Sequence, residues 1–164
     1  MELWRKLEAI EDIRRLKALY FRYVDTKDWR SLEHVFAEDV EFDRTTGNSV
    51  QDPWTMEWIP PLPQSSQIVR GRTAVVEMIK NAVAAISSVH HGHNPEIDIL
   101  DMKNAKALWP MTDTLRDRSG RLILRGAGYY HETYENLSSG WVIKTARLSR
   151  LSLEYGEAHA SQRQ

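Results

Sequence analysis

Three of the six histidines fall within four positions, in the stretch Val89-His90-His91-Gly92-His93-Asn94-Pro95-Glu96-Ile97-Asp98-Ile99. Imidazole titrates nearest to neutrality among the side chains, so acid–base or metal chemistry is sought here first. The segment suits a strand, in which successive side chains alternate faces. His90, Gly92 and Asn94 then share one side while His91 and His93 share the other, which lets one histidine face an interior alone. An inward His90 is a candidate general base, and Asn94-Pro95 limits regular pairing beyond it. A buried histidine hydrogen-bonded to backbone is the competing reading of the same residue.

A second candidate follows from parity. Ala107, Trp109, Met111, Asp113 and Leu115 share one strand face, so a single carboxylate interrupts an apolar row. A buried carboxylate must be paired, protonated or functional, because an unpaired charge in an apolar setting is costly. Farther on, Arg147 and Arg150 lie on opposite faces unless a bulge intervenes, and parity cannot choose between them. Metal chemistry is weighed on His91 and His93, an i, i+2 pair with His131 or Glu132 as possible third ligands, but no strong spacing such as HExxH occurs. Phosphate-loop, dinucleotide and Gly-x-Ser-x-Gly patterns are missing, and the absence of cysteine removes thiolate chemistry. The expectation is chemistry with neither a cofactor nor a metal.

The elements that must position these residues are read from periodicity. From Leu3 to Val24, apolar residues at Leu3, Leu7, Ile10, Ile13, Leu16, Leu19, Tyr20 and Tyr23 predict a long amphipathic helix ending at Asp25-Thr26-Lys27-Asp28. Tyr20 and Asp25 are five residues apart, about 140° around an ideal helix, so they converge only if the helix unwinds before Asp25. Asp28 caps a second helix over Trp29 to Phe36, and Asp39 to Asp43 alternates like a short strand. Thr45 to Gln67, with four prolines and the tryptophans Trp54 and Trp58, fits no regular element and is read as a lid over a pocket. A helix follows from an N-cap at Thr73 to about Ile86. Strands are predicted over His90 to Leu100, Ala105 to Arg116, Leu122 to Tyr134 and Trp141 to Leu153. Gly126 and Gly128 share one strand face, where they leave room for a ligand or mark a bulge.

Helices first and an antiparallel meander afterwards give an α+β domain, with the first helix across a curved sheet to make a cone with one open end. One domain over residues 1–155 is expected, with a loose tail over 156–164. Lysine plus arginine (22) nearly balances aspartate plus glutamate (23), and the charges are interspersed. Neither nucleic acid nor an anionic membrane is therefore the expected partner. The first residues lack an apolar signal core and no apolar run approaches membrane-spanning length, so a cytoplasmic protein is expected.

The residues Leu19-Tyr20-Phe21-Arg22-Tyr23-Val24-Asp25 with Trp29, His90 to Ile97, Trp109 to Asp113, and Tyr130-His131-Glu132-Thr133-Tyr134 together resemble the SnoaL-like branch of the NTF2-like superfamily. The resemblance covers nearly the whole chain. It is nearest to the bile acid 7-alpha-dehydratases, with scytalone dehydratase and lindane dehydrochlorinase as more distant relatives. It implies a catalytic His90, an orienting Asp25, a tyrosine at Tyr20, a second carboxylate at Asp113 and a last-strand arginine at Arg150. It also implies a dehydratase acting on an apolar polycyclic or steroid-like molecule; Trp54 and Trp58 in the lid, and Trp109 on the strand face of Asp113, are further expected substrate contacts. A ketosteroid-type isomerase or cyclase, and a non-catalytic binding or assembly subunit, are the alternatives. A homo-oligomer is expected, a trimer before a dimer, because related dehydratases assemble so and an open curved sheet has an outer face to cover. The departure from the pattern is Thr45 to Gln67, longer than its bile-acid counterpart.

Overall fold

The computed structural model describes residues 2–157; the expected loose tail lies, from residue 158 onward, outside them. Helix α1 (Leu3–Thr26) buries Ile13, Leu16, Lys17, Tyr20, Phe21 and Val24 at spacings of three and four, the stripe that packs a helix onto a sheet. The stripe begins later than its apolar pattern suggests, since Leu3 and Leu7 are exposed, and it contains a lysine. The helix also continues through Asp25 instead of unwinding before it. It stops at Lys27, whose left-handed backbone (φ 63°) turns its N–H back to the carbonyls of Tyr23 and Val24.

Asp28 accepts from the backbone N–H of Ser31 and caps α2 (Trp29–Glu33) as expected. That helix is shorter than predicted, because Phe36 opens strand β1 (Phe36–Asp43) and pairs with Ile143. Two two-residue strands, β2 (Val50–Gln51) and β3 (Trp58–Ile59), interrupt the segment read as irregular, and β4 (Ile68–Arg70) follows. The next helix, α3 (Arg72–Val83), is capped by Gly71 at φ 88°, not by Thr73, and Arg72 Nε donates to the Phe36 carbonyl.

The predicted strand from His90 to Leu100 is two strands, β5 (Ser87–Gly92) and β6 (Glu96–Ile99), broken at His93-Asn94-Pro95. Proline has no N–H to give to a ladder, and both pieces pair with β7 (Asn104–Arg116). Strands β8 (Leu122–Leu137) and β9 (Gly140–Tyr155) complete the antiparallel meander. β1 and β2 add to β9 in parallel, so the nine-stranded sheet is mixed.

α1 and α3 cover the inner face, where Ile13, Tyr20, Val40, Val75, Tyr130 and Ile143 join one core. The architecture is an α+β, NTF2-like cone. Gly92 shows how closely the layers meet: a Cβ there would lie 2.6 Å from the Phe21 ring. No helix among the described residues is long and apolar enough to cross a membrane.

Candidate active site

Strand alternation turns Ser88, His90 and Gly92 toward α1, and the last turn of that helix carries Asp25 to meet them. His90 Nδ1 lies 2.6 Å from Asp25 Oδ1, and the His90 backbone N–H donates to Oδ2 at 2.8 Å. The Ser88 hydroxyl donates to Oδ1 at 2.9 Å while accepting from Lys27 Nζ at 2.8 Å. Burial acts to raise the Asp25 carboxyl, but the hydrogen bonds from the His90 ring and backbone, the His90 charge and the Ser88 hydroxyl outweigh it and hold the group below its ordinary value. An ionised carboxylate can only accept, so Nδ1 carries a proton and Nε2 is the nitrogen left for a ligand. Phe21 stacks against the imidazole at 12° between planes, which fixes the ring from its face.

His90 also lines a cavity of about 280 Å³ beneath α1 and α3. Tyr20 and Tyr130 contribute phenols to it, and Val24, Phe42, Met78, Ile79 and Leu148 supply apolar wall. The two phenols interact with one another; burial pushes Tyr20 well above its ordinary value and Tyr130 up to about 12, so both keep their protons near neutrality. Asp113 is the cross-strand neighbour of His90, and Gly126 follows it in the same rung on β8. Arg150 reaches Asp113 from β9 with two parallel bonds, Nη1 to Oδ1 at 2.7 Å and Nη2 to Oδ2 at 2.8 Å. Its inward direction follows from unbroken alternation with Ala146 and Leu148, which pair with the buried Glu132 and Tyr130; the register shift that makes Leu151 an extra residue lies beyond it. Arg147 is exposed.

Thus His90, Asp25, Tyr20, Asp113 and Arg150 come together around one cavity. Tyr20 and Asp25 serve it from a helix that stays wound, since His90 stands between the carboxylate and the cavity. The tryptophans do not join them. Trp54 is 88% exposed and Trp58 is half-buried in the β2–β3 pair. The part of that segment lining the cavity is Gly47 and Asn48, beside Arg44 at the end of β1. Trp109 is buried and donates its indole N–H to the Tyr134 hydroxyl at 2.8 Å, on the side of a second cleft that His90 borders together with His91 and His93. His131 bonds Ser149 and Glu132 is buried against Lys17, so neither completes a ligand set with His91 and His93. No cluster of three potential metal ligands occurs among the described residues.

Beneath the cavity lies a network absent from the sequence reading. Lys17 is fully buried, its Nζ 2.5 Å from Glu132 Oε1 and 3.8 Å from the centroid of the Tyr130 ring, with the Tyr20 ring at 4.2 Å. Tyr134 donates to the other Glu132 oxygen. Desolvation lowers the Lys17 pKa and the Glu132 charge opposes that shift. A lysine on the apolar stripe of α1 was the available signal, together with Glu132 in register with inward Tyr130 and Tyr134.

The comparisons with known proteins agree on the fold. A probable cyclase of Gibberella zeae is 22% identical over 155 residues, spanning 88% of this chain and 92% of the relative. The structure named "Putative Scytalone Dehydratase" from Novosphingobium aromaticivorans superposes with a TM-score of 0.76 at 18% identity, covering 94% of this chain and 91% of that one. A hexachlorocyclohexane dehydrochlorinase of Novosphingobium barchaimii superposes with a TM-score of 0.71 at 13% identity, covering 94% of each chain. The model of the SnoaL-like domain matches residues 5–147, from the first turn of α1 into β9, and the chain belongs to that family.

Proposed function

We propose that this protein is a cofactor-independent lyase, a dehydratase, acting on an apolar polycyclic small molecule whose departing hydroxyl lies next to a carbon acidified by a carbonyl. The observation that carries this reading is His90 fixed by Asp25 through Nδ1 while its ring borders a cavity holding two protonated phenols. His90 Nε2 takes the carbon-bound proton, and Asp25 holds the tautomer and stabilises the imidazolium. Tyr20 donates a hydrogen bond to the enolate oxygen as charge develops there. The imidazolium then returns its proton to the departing hydroxyl, so water leaves and the dyad is restored. Asp113 and Arg150 orient a polar group of the substrate. The names of the similar proteins, a cyclase, a dehydratase and a dehydrochlorinase, support chemistry of this class.

The test is a panel of cyclic β-hydroxyketones followed by mass and ultraviolet absorption. Loss of one water with gain of a conjugated chromophore is expected. A product of unchanged mass would replace the dehydratase with an isomerase or cyclase, and binding without any product would leave a non-catalytic receptor.

A further inference from the structure

Asp113 and Arg150 are engaged with each other instead of standing open to the cavity. Their side chains are 4% and 6% exposed, and Arg150 also gives Nε to the Gly47 carbonyl at 3.1 Å and directs Nη1 toward Met111 Sδ at 3.7 Å. Gly126 makes room for this arrangement: a Cβ there would fall 2.4 Å from Nη1 and 2.6 Å from Asp113 Oδ1.

The charge consequence is that the inner wall is neutral in sum yet strongly polar. A carboxylate seated against it would meet Asp113 in a low-dielectric setting, and an ammonium would meet Arg150; each like-charge contact is costly. A hydroxyl meets neither objection. It can donate to a remaining lone pair of the Asp113 carboxylate and accept the Nη2 hydrogen that no bond among the described residues uses. Arg44, the other cation bordering the cavity, is exposed at the rim, where water screens it. The cavity of about 280 Å³ has room for a two-ring molecule, since about 150 Å³ holds one benzene ring.

We propose that the Asp113–Arg150 pair determines specificity: the site takes an uncharged molecule with a hydroxyl or carbonyl seated on the pair and refuses carboxylates. This rests on the cavity being the substrate site but not on the reaction performed there.

The experiment is titration calorimetry at pH 7 with 2-naphthol and 2-naphthoate, which share their rings and differ in charge. The full chain carries Arg44→Gln, so that the rim cannot capture the carboxylate. Naphthol should bind at least about tenfold more tightly than naphthoate, and adding Asp113→Asn should reverse the order by releasing the guanidinium. Should Asp113→Asn fail to fold by circular dichroism, Asp113→Asn with Arg150→Gln buries no charge and should narrow the naphthol preference, because neither the carboxylate that repels naphthoate nor the pair that seats naphthol remains; an unchanged preference there would overturn the inference. Naphthoate binding as tightly as naphthol in the Arg44→Gln chain would overturn the inference. Binding of neither probe, or a folded Asp113→Asn variant with unchanged preference, would do the same. The readout is binding alone, so failure of the dyad chemistry is read separately as turnover.

Discussion

At the residue scale the decisive contact is a 2.6 Å bond between a helix-end carboxylate and a strand imidazole. His90→Ala should lower turnover by about 10²- to 10⁴-fold, the range for loss of a general base, with stability little changed. His91→Ala and His93→Ala, on exposed side chains, should be mild by comparison, and parallel steady-state kinetics of the three variants checks this. Asp25 also makes a pH prediction. Its folded pKa is below the ordinary 3.8, so its stabilising effect is complete above the unfolded value and is lost as pH falls through the folded one. The difference in melting temperature between wild type and Asp25→Asn should therefore narrow as pH is lowered from about 5 to about 3. His90 and Asp113 were legible because strand parity sorts residues by face without knowledge of the partner strand. Arg150 came only from the family resemblance, because parity separates it from Arg147 without saying which face is inner, and the extra residue Lys144 shifts the phase of β9 between buried Ile143 and Ala146.

At the element scale, α1 is tied to the sheet by apolar packing and by one buried ion pair, Lys17 with Glu132. Removing one member of such a pair strands the other charge, so Lys17→Met should destabilise the protein by about 3–5 kcal/mol. Lys17→Met with Glu132→Leu should recover most of that loss. Urea unfolding of both variants is the check, and equal destabilisation by the single and double changes would mean that packing, not charge, dominates. Each member of this pair left a signal in its own element, but the pairing was not legible, because a lysine among apolar residues reads as the polar edge of a helix until its partner, 115 positions away, is known. Element types were more legible than element ends. The helix-to-strand switch near Ser88 was clear from periodicity, whereas the ends of α2 and the break between β5 and β6 depend on pairing with β9 and β7. Proline at position 95 signalled the break without locating it.

At the scale of the whole molecule, the cone leaves apolar surface uncovered: Leu3, Trp4, Leu7, Met102 and Leu151 are exposed. Association of copies removes such surface from water, so light scattering at micromolar concentration should report a homo-oligomer, with a monomer as the contrary result. The cone also brings three distant parts of the chain, α1, β5 and the β7–β9 meander, to one cavity, where the proposed reaction begins with proton abstraction from carbon by His90. The most direct measurement is α-proton exchange of 2-tetralone, a neutral two-ring ketone, followed by proton NMR in deuterated water. The wild-type chain should accelerate exchange, and His90→Ala should reduce the enzymatic rate by about 10²-fold or more. Exchange that persists at the wild-type rate in His90→Ala, or that survives that change and is abolished by a chelator, would rule out His90 as the base.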